Sequence, residues 1–209
     1  MLGIHDYWLF VATGVLLNLT PGQDTFYILG RSLSEGTRHG VASALGIGVG
    51  SLLHTLMAAL GLSAVLATSA AAFTVVKFLG AAYLIYLGVR MLASTKVDQP
   101  TVAEASRTSA LGAFRAGVLT NVLNPKVALF FLALMPQFIE PTSETKVAAF
   151  TALGLTFVGT GTVWCLILAI SAGKVRGLFV RHPAAWRAVS RVAGGVFVLL
   201  GLRLATTRQ

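Results

Sequence analysis

The chain has 209 residues, 56% of them hydrophobic and only 11% charged, with a mean hydropathy of +0.80. A soluble domain carries about a quarter charged residues, so the composition excludes a soluble surface and points to a polytopic helical membrane protein. The net charge of +9 is spread along the chain without the clustering of a nucleic-acid footprint, and the single cysteine, Cys165, excludes an internal disulfide or a dithiol redox pair.

Hydropathy predicts six spans, running roughly 6 to 31, 40 to 67, 71 to 92, 111 to 139, 146 to 172 and 187 to 205. The opening "MLGIHDYWLF" has no Lys or Arg ahead of the apolar run. A cleavable signal peptide wants a positive start, so the first helix is expected to be retained. Tyr7, Trp8 and Trp186 suit the interfacial belts.

Inside the first span lies "NLTPGQDTF", residues 18 to 26, with a proline, a glycine and an aspartate. Thr20 is positioned to cap a new helix, Pro21 to open it, and Gln23 to complete a capping box. The second span, "ASALGIGVGSLLHTLMAALG", sets Ser43, Gly46, Gly50, His54 and Gly61 on one face. Gly46 and Gly50 make a small-xxx-small contact suited to close helix packing. His54 reads either as a hydrogen-bonded packing residue or as a proton-carrying group facing a cavity.

The polar stretch 94 to 110 is the one long loop. It divides the chain into a first three-helix unit, 1 to 93, and a second, 111 to 209. In the fourth span, "NVLNPK" (121 to 126) repeats the pattern of the first: Asn124 caps, Pro125 opens a helix, and Lys126 follows. Asn18 and Asn121 precede the two prolines at matched positions. They are candidates to cap freed backbone groups or to line a path.

The halves echo one another in order: "GVLLNLTPG" with "GVLTNVLNPK", "ALG" at 44 with "ALG" at 152, and "GVRMLA" with "GLRLA". Repeats with an odd number of spans enter the membrane from opposite sides, an architecture typical of transporters. The expected fold is therefore all-α: six transmembrane helices as two inverted three-helix repeats, each with a broken first helix. One set of loops would hold eleven basic residues, among them Arg31, Arg38, Arg90, Lys96, Arg107, Arg115 and five between Lys174 and Arg191. The other side would hold Lys77, Lys146, Arg203 and Arg208. The positive-inside rule puts the first side in the cytoplasm and both termini outside.

Pro21 lies ten residues before Arg31, and Pro125 ten after Arg115. At 1.5 Å per residue, each break falls about 15 Å from the cytoplasmic edge, near the middle of the bilayer. A proline frees a carbonyl one turn earlier, and a helix start offers N–H groups and a positive dipole end. A pair of such breaks suits a zwitterion; a plain proline kink is the alternative. Asp24 and Lys126, costly at that depth, point toward a partner, a substrate or a proton. A static ion pair locking the two halves is the structural alternative. The candidate substrate set is Asn18, Pro21, Gly22, Asp24, Asn121, Asn124, Pro125 and Lys126, with Asp24 and, less directly, His54 as proton carriers. No cofactor motif and no metal-ligand spacing accompanies them. A nucleotide-cradling loop is also missing, which leaves an ion gradient as the energy source.

"NLTPGQDTFYILGRSLSEGTRHGVASALGIGVG" (18 to 50) resembles the first signature of the lysine exporter family, LysE/RhtB type. "NVLNPKVALFFLALMPQF" (121 to 138) resembles its second, and "GAAYLIYLGVRML" (80 to 92) its third span. Gln23 stands where the family commonly has a second proline. The resemblance covers essentially the whole chain. It implies a secondary exporter of amino acids or close derivatives, of homoserine, threonine, leucine or lysine type, in the bacterial inner membrane and driven by the proton gradient. An exporter of another small solute or metal ion, a membrane enzyme and a scaffold are the competing classes; the enzyme would need a convergent catalytic set. Glycine-rich faces are compatible with a homodimer.

Overall fold

A computed structural model describes residues 2–62, 109–172, 174 and 183–206, together with single residues and pairs between Thr74 and Ala93. Most of the third expected span and nearly all of the 94–110 loop lie outside the described residues, as does His182.

Among the described residues seven α-helices are given bounds: α1 (Tyr7–Leu19), α2 (Gln23–Glu35), α3 (Thr37–Met57), α4 (Ala110–Val122), α5 (Pro125–Leu129), α6 (Lys146–Ile170) and α7 (Pro183–Thr206). α3 runs on through a π-helical turn, Ala58–Leu62. α5 continues as a π-turn, Phe130–Leu134, and a 3-10 turn, Met135–Phe138. No strand forms among the described residues. One isolated antiparallel bridge, Ile4 to Ile139, pins the N-terminal residues beside the 3-10 turn.

Among the described residues, two helices are long and apolar enough to cross a membrane, Thr37–Leu62 and Lys146–Ile170. Ala110–Val122 and Pro125–Phe138 qualify together as one span bent by 46°. The outer surface is correspondingly apolar: Trp8, Leu119, Val163, Ile170 and Leu199 are all largely exposed. Such contiguous apolar exposure is a liability in water and the expected surface in lipid.

Glycines set how closely the helices approach. α3 lies most intimately against α4 and α6. At Gly46 a methyl group would collide with the carbonyl of Phe114 in α4. At Gly50 it would sit 2.7 Å from Cβ of Asn121. The small-xxx-small face of α3 is therefore a packing surface. Gly61 faces open space.

Several contacts are reciprocal between the halves. α4 packs on α3, and α1 packs on α6. Asn121 of α4 lies over Gly50 of α3, while Asn18 of α1 lies over Gly161 of α6. The pattern recurs farther out. Gly88 meets Gly194 and Val198 of α7, and Gly201 of α7 meets Ala81 and Ile85.

Two apolar clusters bracket the centre. One is aromatic: Phe10, Phe130, Phe131, Phe138 and Phe157 pack together, with the Phe130 and Phe157 rings stacked 4.4 Å apart. The other gathers Ile28, Leu29, Ala44, Ile47, Cys165 and Leu168. Cys165 is a free, buried core thiol. The polar residues at the breaks lie between these clusters.

Candidate functional site

The first break is real, but its helix starts later than the sequence suggests. α1 ends at Leu19, Thr20 is extended, and Gly22 (φ −162°, ψ −168°) takes the N-cap place of α2. Thr20 does not cap α2. Its hydroxyl donates back to the carbonyl of Leu16 at 2.7 Å. Pro21 accordingly precedes the cap and is not the first helical residue, and no capping box forms with Gln23. The physical reason is Gly22, which carries the chain through one more extended residue and brings no side chain to the cap. α2 thus begins with no side-chain cap over its first N–H groups, leaving its positive end available.

The second break follows the expectation. Asn124 caps α5, its side-chain oxygen accepting the backbone N–H of Lys126 at 3.0 Å, and Pro125 is the first helical residue.

Each proline lacks the N–H that would bond the carbonyl four residues earlier. Those carbonyls belong to Leu17 and Asn121. The Leu17 carbonyl accepts Nζ of Lys126 at 2.7 Å, and Lys126 also donates to the Thr20 carbonyl at 2.8 Å. The Asn121 carbonyl accepts Nε2 of His54 at 3.2 Å and the backbone N–H of Asn124 at 3.0 Å. A polar side chain from the opposite half therefore satisfies each freed carbonyl, as an apolar setting requires. His54 is buried and stacks on Phe131, with ring centroids 5.6 Å apart.

Asp24 stands one residue past the start of α2. Its Oδ2 accepts Nδ2 of Asn121 at 2.9 Å, and Oδ1 of Asn121 accepts the hydroxyl of Ser51 at 3.2 Å. The other carboxylate oxygen of Asp24, Oδ1, is buried and has no hydrogen-bond partner. Asp24 and Lys126 form no ion pair within 4.0 Å among the described residues. The contact Lys126 makes with the first half is thus with backbone carbonyls and not with Asp24.

These groups surround one cavity. Among the expected site residues, Asn18, Gly22, Asp24, Asn121, Asn124 and Lys126 line it. Pro21, Pro125 and His54 do not line it, and His54 holds a backbone carbonyl. Thr25, Gly48, Ser51, Gly161, Thr162 and Trp164 also line it and were not singled out from sequence as site residues. Thr162 and Trp164 fall in the fifth span. A run of polar and small residues, "GTGTVW" (159 to 164), was the available signal there. The cavity offers about 40 Å³ to water centres, room for about three waters. Besides Asp24 Oδ1, two donors at its wall are buried without partners: Nδ2 of Asn18 and Nε1 of Trp164.

Comparison with known proteins gives a consistent family. The LysE type translocator family matches residues 15–208. A membrane protein of Vibrio cholerae, itself called uncharacterized, is 32% identical over 205 residues, covering 98% of each chain. The homoserine/homoserine lactone efflux protein of Salmonella typhimurium is 31% identical over 206 residues, again 98% of each. The leucine efflux protein of Klebsiella pneumoniae is 28% identical over 207 residues, covering 99% of this chain and 98% of the relative. No solved structure matches the chain.

Proposed function

The chain belongs to the LysE type translocator family, and from that premise we propose that it exports amino acids or close derivatives across the bacterial inner membrane by proton antiport. One observation carries this reading. The cavity between the two breaks has a separate place for each end of a zwitterion. At one side, the buried Oδ1 of Asp24 has no partner and suits an ammonium. At the other, the Lys126 ammonium lies beside Gly22, next to the uncapped start of α2, and suits a carboxylate. The preceding carbonyls, free in the sequence reading, are occupied by Lys126 itself, so the substrate ammonium is left to Asp24.

Relatives named for homoserine, homoserine lactone and leucine efflux support a small amino acid or derivative as cargo. The reciprocal contacts of Asn18 with Gly161 and Asn121 with Gly50 support a repeat between 1–93 and 111–209; the Lys and Arg distribution supports its inverted form, with a cytoplasmic loop at 94–110 and both termini outside.

Asp24 is the coupling group in this scheme, taking a proton from outside and releasing it inward as substrate leaves. The test is uptake of labelled amino acids into everted vesicles loaded with this protein, screened across a full panel with and without a proton gradient. Gradient-dependent accumulation of at least one amino acid is expected. A panel in which none accumulates above control vesicles sinks the proposal.

A further inference from the structure

We propose that Trp164 is a specificity-determining residue, reading a hydrogen-bond acceptor on the substrate's side chain together with Asn18. The inference rests on the amino acid export reading and deepens it by naming a substrate class: amino acids or derivatives whose side chain bears a hydroxyl or carbonyl oxygen.

An indole N–H can only donate. Tryptophans in membrane proteins ordinarily sit at the interface, where that N–H finds water or headgroups. Trp164 sits six residues inside the end of α6, about 9 Å along the helix. It lines the cavity, and its Nε1 is buried with no partner. A buried donor of this kind is costly unless something supplies an acceptor.

The second unpaired donor is close by. Nδ2 of Asn18 approaches α6 where Gly161 has no side chain; a Cβ there would lie 3.3 Å from it. Gly161 and Trp164 are three residues apart and share a helix face. Two orphaned donors thus belong to side chains that line the cavity beside the same face of α6.

The zwitterion's two charges are already provided for by Asp24 and by Lys126 with the start of α2. The Asn18 and Trp164 donors are left over, and a purely aliphatic side chain offers them no acceptor. A hydroxyl or carbonyl oxygen would satisfy them. A site built to bond such a group discriminates strongly against an analogue that lacks it.

The test uses the purified full-length chain in proteoliposomes and two substrates of matched shape: homoserine, and norvaline, which has a methyl group in place of the hydroxyl. Transport kcat/KM for homoserine should exceed that for norvaline by at least tenfold. Trp164→Phe removes the N–H and keeps an aromatic ring; it should bring that ratio down toward one. Asn18→Leu should lower the ratio as well, and it serves alone if the Trp164 variant is not recovered folded by size exclusion. A wild-type ratio near one overturns the proposal, because the two donors then serve the common carboxylate. So does an unchanged ratio in a folded Trp164→Phe protein. If the wild type transports no member of a full amino acid panel, the export reading falls too. If it transports amino acids without favouring acceptor-bearing ones, only the Trp164 assignment falls.

Discussion

Replacing Asp24 by Asn separates substrate binding from energy coupling. Asn has the same shape and keeps an oxygen to accept Nδ2 of Asn121, now 2.9 Å from Asp24 Oδ2. What it loses is the charge on the unpaired Oδ1 and the capacity to carry a proton. The amide nitrogen that takes the place of Oδ1 is a donor and cannot accept from the substrate ammonium, so the whole charge-assisted bond is lost, about 1.5–3 kcal/mol, which corresponds to roughly 10- to 150-fold weaker binding of the ammonium at 1.4 kcal/mol per tenfold. In proteoliposomes, substrate exchange should persist with its KM raised by that factor, while accumulation driven by a pH gradient should vanish. Two results refute the reasoning. A KM within twofold of wild type would show that Asp24 does not meet the ammonium. Accumulation with wild-type pH dependence would show that the proton travels elsewhere, and His54→Gln is then the next variant to measure.

Lys126→Met should abolish export yet leave a folded protein: it removes two bonds to backbone carbonyls, worth about 1.5–3 kcal/mol each, and also removes the several kcal/mol cost of burying the ammonium. Expression level and a detergent melting curve check folding, and vesicle export checks function. Gly46→Ala should destabilise by about 1–3 kcal/mol through overpacking against the Phe114 carbonyl. Gly159→Ala, with nothing within 4 Å, should be neutral or gain up to about 1 kcal/mol of helix propensity; thermal melts that rank the pair the other way contradict the close α3–α4 packing. For orientation, a cysteine placed at Thr142 in a Cys165→Ser background should react with an impermeant thiol reagent in intact cells, and one at Ser109 should not. The reverse pattern would overturn the topology.

Much of the site was legible because proline chemistry is local. Pro21 and Pro125 cannot donate to the carbonyls four residues back, so the breaks could be placed from residue identity alone. Asn124 was readable as a cap for the same reason. Thr20 was misread as one. A capping pattern is satisfied by several helix starts within a few residues, and the extended Gly22 selects a later one. Trp164 went unnoticed because a tryptophan in an apolar run looks like core or belt until the surroundings of its N–H are known.

The sequence by itself determined that this chain is a helical membrane protein, that two of its helices break at a proline, and that a carboxylate and an ammonium lie beside the breaks. Hydropathy, backbone chemistry and residue order carry all of that. Only the tertiary structure decided what each freed group meets. Lys126 reaches a carbonyl 109 positions away and His54 one 67 positions away. In an apolar interior each exposed polar group must find a partner, and that partner is set by which helices pack side by side. The glycines fix that packing, admitting Asn121 onto α3 and Asn18 onto α6. The same closeness leaves three groups at the cavity, Asp24 Oδ1, Asn18 Nδ2 and Trp164 Nε1, without a partner.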